Sequence, residues 1–463
     1  MIAFNTWFPT SRYGNDVLNV RDFGAVGDGV ADDTAEIQAC FDAAFGSRTS
    51  PNGNTNRHLN KSVYFPSGNY RITAPLYLTG VKGGRIFGNG VNCTEIGYEF
   101  ANAGNAWISS GAGSEVSPAI MMNGCAYTVM EDILLGGDAV SNASNVGIYV
   151  YGGIPELPTT MTQFRNMIIT GFGQGMLVGY GGTSAQCDNG SLFNVNFVNC
   201  GIAGIKCVHQ NAINWHVYGG GGANCCMNTT YDPGVDLGNA GAVYSSIGGS
   251  ICFIAGVSMS GNNWDFLFAS SSPCVILGGS SESPGGPEGR EGGSIVNVNS
   301  SVLVSGFAYR NEFADNCCFI EGTYGGFTHC TGCIFNPPNP GVGRIAQLGN
   351  NGQIILENLE TGSGSVNCVI TGGSNSKVWA RGVHAWPTGM NIFNGFGGKV
   401  LEYTPVTGTT LATMPAAACF AGLTRVITDL TSNTAGASAA GGGALKGFCW
   451  CDGVNWKVIG PVS

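Results

Sequence analysis

The chain has 463 residues, 19 of them Lys or Arg and 29 Asp or Glu, for a formal charge of −10. That balance excludes a nucleic-acid backbone as partner, because such binding rests on Lys and Arg neutralising phosphates. Only 10% of residues are charged, 43% are apolar and 76 are Gly; this excludes a disordered chain and points to short strands separated by many tight turns.

The opening MIAFNTWFPTSRYGND lacks a basic region followed by an apolar core, so no secretory leader is expected. No apolar run approaches the ~18 residues of a membrane span. LNVRDF (18–23) alternates as a short strand, and GAVGDG (24–29) is a turn cluster. Asp33 followed by Glu36 has the spacing of a capping box and predicts a helix with Ala35, Ile37, Ala39, Cys40, Ala43 and Ala44 on its apolar side. Asp22, Asp28, Asp32, Asp33 and Glu36 crowd this stretch, yet the spacing is not that of an EF-hand loop: counted from Asp28, the third position is Val30 and the sixth is not Gly. The acids are read as scaffolding. KSVYFPSGNYRITAPLYLTGVKGGRIFGNGVNCTEI (61–96) then gives strands separated by Pro-Ser-Gly and Gly-rich turns.

The blocks NVRDFGAVGDGVADDTAEIQ, VYFPSGNYRI and IFGNG, in that order, resemble the N-terminal part of the pectate-lyase-like single-stranded right-handed β-helix proteins over residues 17–96. The resemblance implies a helical cap and the first coils of a solenoid at this point, with no active site in it. A period is also present in the residues themselves. ICFIAGVSMS, CVILGGSSES, SVLVSGFAYR, GFTHCTGCIF, QIILENLETG and KVWARGVHAW align on Gly256, Gly279, Gly306, Thr331, Asn358 and Gly382, separated by 23 to 27 residues. Each unit carries one alternating strand and one turn, as expected for one coil per unit. QFRNMIITGFG (163–173) and LFNVNFVNCG (192–201) read as earlier coils, and residues 219–241 as a loop interrupting the stack.

After Tyr403 the texture changes to Ala- and Gly-rich loops around three expected strands, 423–428, 445–451 and 454–459. The tail ending in CWCDGVNWKVI resembles the small C-terminal β domain of phage tail-spike and tail-fibre-like proteins. The expected division is an N-terminal segment 1–16, an all-β right-handed parallel β-helix 17–402 and a small β domain 403–463. The resemblance further implies a homotrimer in a virion, assembled in the host cytoplasm and released by lysis. No membrane insertion is expected.

Polysaccharide hydrolysis on such a fold needs two carboxylates, ~5–5.5 Å apart for retention or ~6.5–9.5 Å for inversion. Coils ~4.8 Å apart meet either spacing. Glu282, in an exposed Ser-rich turn, is the leading catalytic candidate, with Asp265 and Glu312 as carboxylates on adjoining coils; Asp315 and Glu321 follow. Trp264, Arg290 and Tyr309 are the substrate-binding candidates, Arg290 lying with Glu288 and Glu291 in the loop SPGGPEGREGGS. Each has a plainer reading: a solvated turn acid, a packed Trp, an exposed loop. Trp215, Trp379 and Trp386 share the Trp alternative.

His209 and His216 fit a polar coil face as well as a general base. His329, Cys330 and Cys333 in HCTGC form a lone C-x-x-C, weak support for zinc; no cofactor or metal site is expected. Neither the paired aspartates and Gly-His-Gly block of polygalacturonases nor the calcium-binding aspartates of pectate lyases are present. The 18 cysteines are either buried thiols acting as small apolar groups or cross-links, intra- or interchain, that would stiffen a mature particle. Two readings follow. The first is a tail-spike or fibre-like virion protein that binds a bacterial surface polysaccharide, its power to hydrolyse it left open. The second is a catalytically silent structural or decorating spike, docked to other virion proteins and stabilised by disulfides.

Overall fold

The computed structural model describes residues 16–46, 61–100, 108–109, 115–152, 158–179, 186–227, 241–282, 293–310, 318–322, 325–336, 342–361, 367–383, 396–405, 424–452 and 454–461. They form a right-handed parallel β-helix, in which strands pair in parallel with those of the coils before and after. The chain divides into two compact units, Met1–Gly201 with Val208–His216, and Ile202–Cys207 with Val217–Ser463. Among the described residues no helix is long and apolar enough to cross a membrane.

In the first unit the helix Thr34–Phe45 buries Ile37, Cys40, Phe41, Ala44 and Phe45, a stripe at three- and four-residue spacing that packs on the first coil. Phe41 meets Phe65 edge-on at 6.2 Å, and Phe65 meets Tyr70 at 5.4 Å. The expected capping box does not form. Asp33 stands at the N-cap, but its carboxylate accepts from the backbone N–H of Val26 and Gly27, at 2.6 and 3.0 Å, and fixes the preceding turn instead. Asp28 accepts from Val30 and Ala31 N–H, and Asp32 from Thr34 and Thr73. These acids are occupied in closing turns, as scaffolding requires. Behind them one row of strands runs Val17–Asn19, Ser62–Tyr64, Arg85–Phe87, Val129–Glu131, Gln163–Thr170 and Ser191–Val198, each parallel to the next.

The second unit has three rows. The first runs Ile251–Ala255, Cys274–Leu277, Ser301–Ser305, Phe327–Thr331, Gln353–Glu357, Lys377–Val383 and Lys399–Pro405. The next runs Ser258–Ser260, Ser280–Glu282, Ala308–Arg310, Ile334–Asn336 and Glu360–Thr361. The third includes Tyr244–Ser246, Trp264–Phe268, Gly293–Asn297, Cys318–Gly322 and Val342–Leu348. Strands of the first row alternate buried and accessible positions, so that Ile276, Val304, Cys330, Leu356 and Ala380 stack inside in register. The tail strands Thr424–Leu430, Leu445–Cys451 and Trp456–Pro461 form an antiparallel sheet.

The corner between the first two rows is a column of left-handed residues: Gly256, Gly278, Gly306, Gly332, Asn358 and Gly382, all with φ between 52° and 66°. Two members of the column expected from sequence are therefore displaced by one, Gly279 to Gly278 and Thr331 to Gly332. The stretch expected as a loop at 219–241 is also corrected at its start. Gly219 and Gly220, φ 67° and 75°, turn a corner inside the strand Trp215–Ala223, and residues 228–240 lie outside the described part. The fourteen cysteines whose side chains are described form no disulfide with one another, and twelve are buried. They pack as small apolar groups, so the expected cross-links find no bridge among them; Cys317 lies outside the described residues.

At Gly256, Gly278, Gly306 and Gly332 an added Cβ would touch nothing within 4 Å, so only the backbone angle opposes a side chain. Gly306→Val should lower stability by ~1–2 kcal/mol and Gly306→Asn by much less, because Asn tolerates this region. Thermal melting of the two variants checks this; equal losses would mean that space, not φ, is limiting.

Candidate functional site

Register decides which side chains meet. In the second unit Thr331, Glu357 and Arg381 stand side by side immediately before the corner, and His329 and Trp379 lie two residues earlier on their strands. All point outward, because inward positions alternate with them. Glu357 Oε1 accepts from Arg381 Nη1 at 2.8 Å, and Oε2 lies 3.1 Å from His329 Nε2. The His329 contact first and Arg381 second hold the Glu357 carboxyl below its ordinary range. Glu357 is thus an orienting carboxylate, unsuited to donate a proton. It fixes the imidazole by one nitrogen, beside a guanidinium and a half-exposed indole. Lys377 and Lys399, paired in register one coil apart, extend the same face.

The residues expected from sequence are placed differently. Glu282 is exposed at the end of Ser280–Glu282, but its neighbours in register are Ser260 and Arg310. It therefore faces a cation and a hydroxyl, not a second carboxylate. Asp265 is 1% exposed inside the second unit. Asn262 Nδ2 donates to its Oδ1 at 3.1 Å, while the Ser281 and Ser294 hydroxyls stand beside it without completing a good hydrogen bond. It is not paired with Glu282 on a surface. Trp264 and Tyr309 are 4% and 1% exposed; the Tyr309 ring is stacked on Phe335 at 5.3 Å. Neither ring is open to a sugar, because each fills the space between coils. Glu312, Asp315, Arg290, Glu288, Glu291 and Trp386 lie outside the described residues.

His329, Cys330 and Cys333 do not converge: the imidazole faces outward and both thiols are buried in the interior. Among the described residues no group of three His, Cys, Asp or Glu side chains is placed to hold a metal ion. In the first unit, His209 Nδ1 accepts from Asn211 N–H at 3.1 Å, and burial lowers its pKa. Trp215 is buried, donating to the Cys187 carbonyl at 2.8 Å. That unit also has an open groove of ≈ 290 Å³ lined by Asn69, Arg71, Glu95, Glu99 and Asp138. Its charges are largely occupied locally, Arg71 bonding both Glu99 oxygens at 2.6 and 2.7 Å. The outer face of the second unit instead brings a base, cations and a half-exposed ring together.

Glu357 and Arg381 are not among the residues expected from sequence, and His329 figures there only as a metal-ligand candidate. The signal was in the aligned coils: with the corner set at Gly332, Asn358 and Gly382, the residues just before it are Thr331, Glu357 and Arg381.

Burial pushes the Asp265 carboxyl up to about 6. Below pH ~4 it is protonated in both folded and unfolded chains; between there and about 6 the unfolded chain ionises first, so stability falls as pH rises. Asp265→Asn should therefore gain on the wild type by up to ~3 kcal/mol at pH 8 and gain nothing near pH 4. Thermal melts at both pH values check the slope; an equal effect at both would remove this account of Asp265.

Residues 17–215 match the family model described as rhamnogalacturonase A/epimerase, pectate lyase-like. Mannuronan C5-epimerase AlgE5 of Azotobacter vinelandii is 51% identical over 55 residues, 12% of this chain and 4% of that protein. Across the curated relatives it matches, the chain spans 2 to 8% of their length. Among solved structures, the A-module of Azotobacter vinelandii mannuronan C-5 epimerase AlgE6 is 17% identical, with 80% of this chain and 100% of that one covered and a TM-score of 0.37. Geobacillus virus E2 ORF18 is 12% identical, with 96% and 75% covered and a TM-score of 0.34.

Proposed function

We propose that this chain, a right-handed parallel β-helix of the pectate lyase-like kind over residues 17–215, is a phage tail-spike or fibre-like virion protein that binds a bacterial surface polysaccharide. The observation that supports this reading is the outer face of the second unit. There His329, Glu357 and Arg381 form a hydrogen-bonded set beside the accessible Trp379. Rings of sugars stack on indoles through their apolar faces, while fixed charged groups bond their hydroxyls and acids. Several coils contribute at a pitch of ~4.8 Å, so the face is linear, as a chain-like ligand requires.

The chemistry available here is proton transfer more than paired-carboxylate hydrolysis. Glu357 holds His329 in one orientation; Arg381 adds positive charge at the same point. A base beside cations suits removal of a proton next to a sugar carboxylate, where negative charge develops on the acid. The names of the epimerase relatives are in keeping with this, although their similarity covers 12% of the chain. Glu282, facing Arg310, favours the second reading at its own position: a silent spike face with no catalytic pair. The homotrimer, the virion partners and the three-part division 1–16, 17–402 and 403–463 belong to this proposal as well.

Purified protein incubated with host capsule or lipopolysaccharide, wild type beside His329→Ala and Glu282→Gln, tests it. Binding by the wild type is expected, with any change in the glycan at least ~100-fold slower in His329→Ala and intact in Glu282→Gln. Loss of turnover in Glu282→Gln alone would return the site to Glu282. Absence of binding to any host glycan would leave only the structural spike.

A further inference from the structure

The strand Lys377–Val383 presents three outward side chains in succession, Lys377, Trp379 and Arg381, with Val378 and Ala380 buried between them. Four residues of extended chain put the two cations ~13 Å apart with the indole midway. Lys399 repeats Lys377 on the next coil, directly in register. Like charges directly opposite on neighbouring strands destabilise a sheet. Yet neither ammonium group has an ion pair or hydrogen bond among the described residues, the lysines bonding through their backbone N–H, in a chain whose formal charge is −10. A lysine on the last strand of a row serves to block edge-to-edge pairing. That accounts for Lys399 alone; it does not account for Lys377, or for an indole that meets no ring among the described residues.

We infer that this face binds an anionic polysaccharide, with acidic groups against Lys377 and Lys399 at one end and Arg381 at the other, and an intervening sugar stacked on Trp379. The inference rests on the polysaccharide reading above and deepens it by naming the charge of the ligand and the residues that read it. Glu357 has a defined part in it. By bonding Arg381 Nη1 and His329 Nε2 it holds the guanidinium and the imidazole in place and leaves the lysines to the ligand. A single-stranded nucleic acid would also find cations and a ring here, but a site for phosphates repeated along a strand calls for a basic groove many residues long. The cations described on this face are confined to a few coils.

The full chain would be tested for retention on three carboxylated polysaccharides, polygalacturonate, polymannuronate and hyaluronate, and on the same polymers with their carboxyl groups reduced to alcohols. A single-stranded oligonucleotide is the further arm. The wild type is expected to retain at least one carboxylated form and not its reduced counterpart, with affinity falling as NaCl rises. Lys377→Gln with Lys399→Gln should weaken binding about fivefold or more at low salt, and Trp379→Ala should weaken it at low and high salt alike. The two lysines are exposed, so thermal melts of their double variant should match the wild type. Equal retention of native and reduced polymers would overturn the inference while leaving polysaccharide binding intact. Retention of neither form would overturn it together with the polysaccharide reading. Binding of the oligonucleotide as tightly as the best polysaccharide, or no effect of the lysine variants, would also overturn it.

Discussion

The parallel hydrogen-bond ladder between successive coils is the constraint on which everything else depends. A strand that pairs in register with the one before it places each outward side chain ~4.8 Å from its counterpart, whatever the sequence distance between them. Glu357 lies 28 residues after His329 and 24 before Arg381 in the chain, yet bonds both on the surface. Their geometry is a property of the register, and the register is held by the corner column. The corner residues from Gly256 to Asn358 donate their N–H to the coil that follows, as Gly306 does to Thr331 and Gly332 to Glu357. The left-handed angle there turns the strand without breaking the ladder.

The cap and the period were legible because both are written locally. The run from Val17 to Phe45 carries its own turn residues and helix stripe, and Gly or Asn fills every place of the corner column from Gly256 to Gly382. The exact column was less legible. Next to Gly278 stands Gly279, which also has a positive φ, 101°, so two neighbouring glycines satisfy the same local rule and only the pairing of Leu277 with Ser305 separates them. An offset of one residue exchanges the two faces of a strand.

The inside and outside of the third row were not legible at all. All five residues of Trp264–Phe268 are buried, so the row has no alternation for the sequence to display, and an aspartate and a tryptophan there look like surface groups. Asp265 enters the interior because Asn262, Ser281 and Ser294 surround its carboxyl with polar atoms, which offset part of the penalty that burial puts on its charged form. Tyr309, on Ala308–Arg310, has the opposite problem: its strand does alternate, with Tyr309 inward and Arg310 outward, but three residues are too short a run to fix the phase. Glu282 was placed outward correctly. What its sequence context did not carry was the identity of its neighbour, Arg310, which lies a full coil away.

The open corners also bear on how such a molecule lengthens. Four of the corner glycines have empty space where a side chain would begin, and each coil meets its neighbours through backbone bonds that are indifferent to residue type. One complete turn, duplicated and inserted at a corner, would add a rung to every row at once without altering the pitch. A surface that reads a chain-like ligand would grow by that rung, its new side chains free to diverge while the old ones keep their places.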